Sequence, residues 1–358
     1  MPSGRLSGRS LGIILACVLA LPANAASKKT TLPQTGPELE LEGGRKLTYE
    51  GSFSSEHEVQ NKRSFWKKVL DVVVGAPEYR SLVRPYSVAR DSRGRVIVTD
   101  PGAAGVHIFD FAEKKYKFLS RWDKEKDPLR TPQCVAVDAQ DNIYVTDSVA
   151  GKIFVFDSNG KYRRAIGSIK GGEGYFKRPT GIAVDSAGDR IYVTDTLRDK
   201  VFTLDMQGNI LGSFGKRGDN PGEFNLPTEV LLLGDRIAVV DALNVRVEFF
   251  DRAGTYLSAF SIVGENRAGL SRPKGISFDS EGHIYVADGS ANVVQVFDEE
   301  GQLLYSFGEH GTAGGDFQLP SGIFIDHEDR IFVADSYNRR IQIFHYYGLP
   351  RQAELRKP

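Results

Sequence analysis

The segment Asn142–Asp147, "NIYVTD", decides how the whole chain is read. Ile-Tyr-Val-Thr-Asp returns unchanged at Ile191–Asp195. Close variants end at Asp100 (VIVTD), Asp241 (IAVVD), Asp288 (IYVAD) and Asp335 (IFVAD). The six aspartates lie 47, 48, 46, 47 and 47 residues apart. A second marker keeps the same register: Pro85, Pro132, Pro179, Pro227, Pro273 and Pro320 recur at 46 to 48 residues. Two independent markers holding one period are the signature of a repeat architecture. They override the two-domain expectation that 358 residues alone would give.

Residues 272–308, "RPKGISFDSEGHIYVADGSANVVQVFDEEGQLLYSFG", show the internal order of one unit. A short apolar strand follows the proline. Asp279-Ser280-Glu281-Gly282 turns the chain, and Ile284–Ala287 runs back. A polar loop leads to Val293–Phe297, and Asp298-Glu299-Glu300-Gly301 turns it into Leu303–Phe307. Glycine closes each turn because positive φ costs it little, and Asp or Ser bonds free N–H groups there. β-branched and aromatic residues fill the strands. Four antiparallel strands repeated six times predict an all-β, six-bladed β-propeller. The blades fall near 84–122, 131–167, 178–215, 226–261, 272–308 and 319–348.

The last unit, "LPSGIFIDHEDRIFVADSYNRRIQIFHYYG", completes a pattern: Pro-x-Gly-Ile-x-x-Asp, then Ile-Phe-Val-x-Asp, then Asn-x-Arg-Ile-Gln-x-Phe. This resembles the NHL repeat, and the resemblance covers roughly residues 80–348. It implies a six-bladed propeller, in agreement with the count, and a role in contacts with other molecules.

The sixth unit lacks a fourth strand before Pro350 would interrupt a ladder. Residues 44–53, "GRKLTYEGSF", look like the fourth strands elsewhere and are expected to close blade six as its outermost strand, so that the propeller spans 44–350. Residues 54–83 stand outside the repeat. Phe65, Trp66, Val69, Leu70 and Val73 fall at helical spacing, which predicts a short helical insertion near 64–74 packed on the rim or one mouth.

The first 25 residues read as a signal peptide. Arg5 and Arg9 precede the apolar run Leu11–Leu21, and Ala23-Asn24-Ala25 is a small-x-small cleavage site. The alternatives are an uncleaved anchor and a lipoprotein processed at Cys17, but the run of 11 residues falls short of the roughly 20 a spanning helix needs. Residues 26–43 read as a flexible lead and 351–358 as a tail. Cleavage removes Arg5, Arg9 and no acid, so 46 basic and 46 acidic residues become 44 and 46, a net charge of −2. The expected location is the periplasm or cell surface. No nucleic-acid partner is expected of such a chain, and oligomeric state is not legible.

The six strand-two aspartates are best read as structural, bonding backbone N–H groups of the adjoining loop, because every blade needs one. Gly-rich connectors such as "GKRGDNPGEF" lie between strands and lack the following helix of a phosphate loop. Enzymes that resemble this architecture, the peptidylglycine lyase and streptogramin-type lyases among them, hold a channel metal near the start of the innermost strand. The corresponding positions here are Ser87, Cys134, Gly181, Glu229, Gly275 and Gly322, none of them histidine. His57, His107, His283, His310, His327 and His345 fall at different points of the repeat, so no cofactor is expected. Cys134 and Glu229 remain channel-mouth candidates for an alternative: a lyase or hydrolase using channel zinc or calcium. The leading expectation is a non-catalytic propeller that binds a protein, peptide or glycan through one loop face. That face carries Arg84, Arg178, Arg198, Asn244, Arg246, Arg272, Asn292, Asn338, Arg339 and Arg340. Arginine suits an interface, but at a blade end it also suits a structural clamp.

Overall fold

A computed structural model describes residues 36–59, 79–120, 128–168, 174–261 and 271–349. Six antiparallel sheets follow the repeat, each running in order from its first to its fourth strand. Blade two is typical: Pro132–Val137, Ile143–Asp147, Lys152–Phe156 and Tyr162–Ile166. The first strand of each blade packs against the first strand of the next, from Ser87–Arg90 round to Pro320–Ile325 and back, which closes a ring about a central channel.

The buried apolar residues form six clusters, one at each blade–blade interface. Between blades one and two, for example, Ile97, Val106 and Ile108 meet Ile143, Val145 and Phe154. A second strand is therefore covered on both faces. That is why Ile-Tyr-Val-Thr-Asp is apolar nearly throughout instead of alternating. Fourth strands are half-exposed, and there the alternation returns, as in Lys115–Leu119. Each apolar side chain fully buried in these interfaces contributes roughly 1.5–3 kcal/mol.

The glycine of Pro-x-Gly has a steric cause. A Cβ on Gly322 would stand 2.6 Å from the Tyr86 carbonyl oxygen and 2.7 Å from Ser87 Cα, across the seam from blade six to blade one. One on Gly181 would stand 2.6 Å from Glu229 Cα. Inner strands approach too closely there for a side chain.

Blade six is completed by Lys46–Phe53, which pairs antiparallel with Arg340–Tyr347 in a register from Lys46↔Tyr347 to Phe53↔Ile341. It is not the outermost strand, and the lead is not featureless throughout. Glu38–Glu40 adds a fifth strand, paired Glu38↔Thr48 to Glu40↔Lys46. Gly43 and Gly44, at φ 74° and 81°, reverse the chain between them. Leu39 and Leu41 pack on the cluster between blades five and six, and Lys46 pairs with Glu38. The alternation of only three residues was too short to read. The only helical elements among the described residues are 3-10 turns at Glu42–Gly44, Glu56–Glu58 and Thr196–Arg198. The signal peptide expected at 1–25, the helix expected near 64–74 and the tail expected at 351–358 fall outside the described residues.

All six strand-two aspartates are fully buried. Their carboxylates accept N–H bonds from the chain entering the first strand. Asp147 accepts from Arg130 (2.6 Å), Thr131 (3.0 Å), Val149 (3.2 Å) and Ala150 (2.9 Å). Asp100 holds Val83, Arg84 and Ala103, and Asp195 holds Lys177 and Arg178. Asp288 holds Arg272, Ser290 and Ala291. Removing such an acceptor orphans several N–H groups, at roughly 1–3 kcal/mol for each one left buried. Asp147→Ala is expected to lower unfolding free energy by about 3 kcal/mol or more. Asp147→Asn, which keeps one oxygen acceptor, should fall between it and the wild type in urea denaturation. A loss under about 1 kcal/mol for Asp147→Ala would show that water replaces the carboxylate.

Candidate functional site

The loops that the aspartates organise surround a cavity of about 640 Å³ at the mouth of the channel. Three kinds of side chain line it. Arg84, Arg178 and Arg272 stand immediately before the inner-strand prolines of blades one, three and five. Lys177 and Lys274 add two further cations, and no carboxylate is among the lining residues. Val149, Leu197, Leu243 and Tyr337 each stand two residues after a strand-two aspartate. They form an apolar rim and are 51–59% exposed. Between these lie the hydroxyls of Thr131, Ser148, Thr180, Thr196, Thr228 and Ser336. Several of these tie blades together: Thr196 Oγ1 donates to the Pro227 carbonyl at 2.8 Å, and Ser336 Oγ to that of Pro85 at 2.6 Å.

Tyr86 also lines the cavity. Burial pushes its phenol up, the charges of Glu229 and Cys134 push it further, and Arg178 and Arg272 oppose them. On the inner strands, Cys134 Sγ donates to Glu229 Oε1 at 3.2 Å, reaching from blade two to blade four, and lies 3.5 Å from Ser87 Oγ. Neither Cys134 nor Glu229 lines the cavity.

Burial pushes the Cys134 thiol well up, and Glu229 adds to this, although the Ser87 bond opposes it. An activated thiol is held below its ordinary value, so this one is not poised as a nucleophile. Burial also raises the Glu229 carboxyl to about 7, against bonds from the Cys134 thiol and the Val230 and Ile182 N–H groups. Among the described residues, no three His, Cys, Asp or Glu side chains are placed to hold one metal ion. The histidines are dispersed: His107 Nδ1 meets the Tyr116 hydroxyl at 2.9 Å, His283 meets Asp279 at 2.7 Å, and His345 meets Glu50 at 3.1 Å.

The ten residues read from the loop face separate into two groups. Arg84, Arg178 and Arg272 converge on the cavity. The others serve the blades, apart from Arg339. Arg246 bonds Asp241 at 2.9 Å and the carbonyls of Asp219, Asn220 and Glu223. Arg340 does the same with Asp335, Thr312, Ala313 and Asp316. Asn244 and Asn338 bond the Gly218 and Gly311 carbonyls of the same connectors. Asn292 accepts the Leu319 N–H, and Arg198 lies 4.9 Å over the Tyr175 ring while facing Asp195 at 3.6 Å. Arg339 is exposed, at a left-handed φ of 56°. Lys177, Lys274 and the apolar rim were missed by sequence reasoning. Their signal was positional, since the rim residues share one place in the repeat.

Two family models match the chain: "6-bladed beta-propeller" (DUF5128) over residues 124–214 and "NHL repeat" over 270–297. With the six blades described above, the chain is a six-bladed propeller, and its fifth repeat matches the NHL model. No curated protein matches it significantly. Many solved structures do. An auxiliary nutrient binding protein from Bacteroides thetaiotaomicron aligns at TM-score 0.57 and 13% identity, over 75% of this chain and 70% of that one. Virginiamycin B lyase from Staphylococcus aureus aligns at TM-score 0.54 and 16% identity, over 74% and 95%. A chain of a nidogen/laminin complex aligns at TM-score 0.53 and 22% identity, over 72% and 89%. At these identities the likeness shows the fold alone.

The Glu229 carboxyl gives a pH signature. Its folded value, about 7, lies above the ordinary 4.5, so between those values the native state holds the proton more tightly than the unfolded chain. Stability should therefore fall as pH rises through that window and level off above it. Glu229→Gln should remove this component. It should be more stable than the wild type at pH 8, by on the order of 1–3 kcal/mol, with the difference shrinking toward pH 4.5. Glu248, also raised to about 7 by burial, contributes equally to both proteins and cancels in the comparison. A constant difference across pH, measured by urea titration, would contradict this assignment.

Proposed function

We propose that this chain is a non-catalytic binding propeller that captures a protein, peptide or glycan at the mouth of its channel. One observation carries the reading: a cavity of about 640 Å³ ringed by exposed apolar side chains and cations, in a size range typical of ligand sites. Elsewhere the loop residues are committed to holding blades together, whereas Val149, Leu197, Leu243 and Tyr337 are left exposed on one rim. An auxiliary nutrient binding protein among the similar structures is compatible with this use of the ring, on fold alone.

The basic start, apolar run and Ala23-Asn24-Ala25 support export, and we place the site of action outside the cytoplasm. Among the described residues, no helix is long and apolar enough to cross a membrane. The alternative, a channel metalloenzyme, would rely on Cys134 and Glu229, where burial keeps the thiol protonated.

The test pairs capture with elemental analysis. Purified protein is applied to peptide and glycan arrays beside Leu197→Ser/Leu243→Ser. The expected result is selective capture by the wild type, lost in the double variant at unchanged melting temperature, with no stoichiometric metal after dialysis. Capture indifferent to the rim would overturn the assignment of this face. One tightly held zinc or calcium per chain, lost in Glu229→Ala, would favour the enzyme.

A further inference from the structure

Arg84, Arg178 and Arg272 are separated by two intervals of 94 residues, that is, by two blades each time. The intervening blades place Thr131, Leu226 and Leu319 at the same position. In a six-bladed ring this alternation brings three guanidinium groups to the axis from directions about 120° apart. Each is fixed at its root, because the strand-two aspartate of its blade accepts its backbone N–H: Asp100 for Arg84 (3.0 Å), Asp195 for Arg178 (2.9 Å) and Asp288 for Arg272 (3.1 Å). Their side chains are exposed at the mouth, and none makes a hydrogen bond or ion pair among the described residues.

Lys274 stands among them. Its stem crosses Gly289, whose added Cβ would meet Lys274 Cε at 2.8 Å, so the ammonium is held in the lining. Burial lowers its proton affinity, and the charges of Arg272 and Arg84 lower it further. The opposing Asp288 is already occupied by backbone N–H groups. Like charges so gathered give the empty fold nothing, and a partly buried cation without an anion is a cost. The chain as a whole carries 46 basic and 46 acidic residues, so the excess is local to this mouth.

Resting on the binding role proposed above, we infer that the mouth is a site for a multivalent anion, whose carboxylate or phosphate groups are divided among Arg84, Arg178 and Arg272, with Lys274 at their side. Arginine forks donate paired bonds to either group, so charge number and spacing select the ligand. The apolar rim would cover the less polar body of such a molecule. A free small anion and an acidic peptide share this chemistry, and the arms of the test separate them.

The test is thermal unfolding and calorimetry of the purified chain with citrate, inorganic triphosphate and a short acidic peptide, each against sodium chloride at equal ionic strength. The expected result is a saturable rise in melting temperature with at least one probe. In Arg178→Gln/Arg272→Gln the affinity should fall at least tenfold, while the ligand-free melting temperature is unchanged or higher. Tighter binding of citrate or triphosphate assigns a free anion, and tighter binding of the peptide assigns a polypeptide source. No saturable response to any probe overturns the inference. So does a response retained in the double variant, or a ligand-free loss of stability with anion affinity intact, which would make the arginines structural. If the anions fail while rim-dependent array capture persists, only the anion assignment falls. If both fail, the binding reading falls with it.

Discussion

The arrangement depends first on a buried carboxylate bonded to backbone N–H groups at the end of each second strand. A fully buried ion is tolerated only when its lone pairs are satisfied. Here the chain entering the neighbouring first strand satisfies them, so one contact fixes both strand and loop. The environments differ around the ring. Burial opposes ionisation of Asp100, yet the His107 ring, 3.5 Å away, and three backbone N–H groups hold it below its ordinary value. Burial raises Asp241 and Asp335 despite their bonds to Arg246 and Arg340. In those two blades the arginine does more than balance charge: it reaches past the aspartate to three carbonyls of the preceding connector and fastens the loop to the blade.

The second constraint is the close approach of inner strands. Glycine is required where backbones nearly touch, as at Gly181, Gly275 and Gly322. Ser87, Cys134 and Glu229 occupy the same repeat position, and their side chains fill the channel instead. The seam between blades six and one is tied at three points. Gly322 N–H donates to the Tyr86 carbonyl at 2.7 Å, Ser321 Oγ donates to that same oxygen at 2.7 Å, and Ser336 bonds Pro85. On the opposite side of the ring, between blades three and four, threonines serve this purpose: Thr196 Oγ1 donates to the Pro227 carbonyl at 2.8 Å.

The fold was legible because every blade repeats the same physical problem, and a solution written six times stands out against sequence noise. The aspartates were readable as structural for that reason. The site was less legible. Arg246 and Arg340 looked like interface residues, but whether an arginine turns outward or folds back on a connector depends on carbonyls 23 to 28 residues away in sequence. The contact between Cys134 and Glu229 spans two blades through a long side chain, which no local pattern reports. The strand at Glu38–Glu40 is too short to announce itself and exists because a Gly-Gly turn returns it to an edge already built.

Two positions in the loops vary from blade to blade without a part in holding the ring. Two residues after each aspartate stand Gly102, Val149, Leu197, Leu243, Ser290 and Tyr337. The residue before each proline alternates between arginine and Thr131, Leu226 or Leu319. The backbone N–H before the proline is held by the strand-two aspartate in blades one, two, three and five and by Asp199 or Asn292 in blades four and six, so substitution of the side chains that reach the mouth changes the cavity without disturbing the blade. A scaffold of this kind separates stability from recognition. The carboxylates and interface clusters hold the ring, and the charge and apolar rim of the mouth are set by side chains that bond no neighbouring blade.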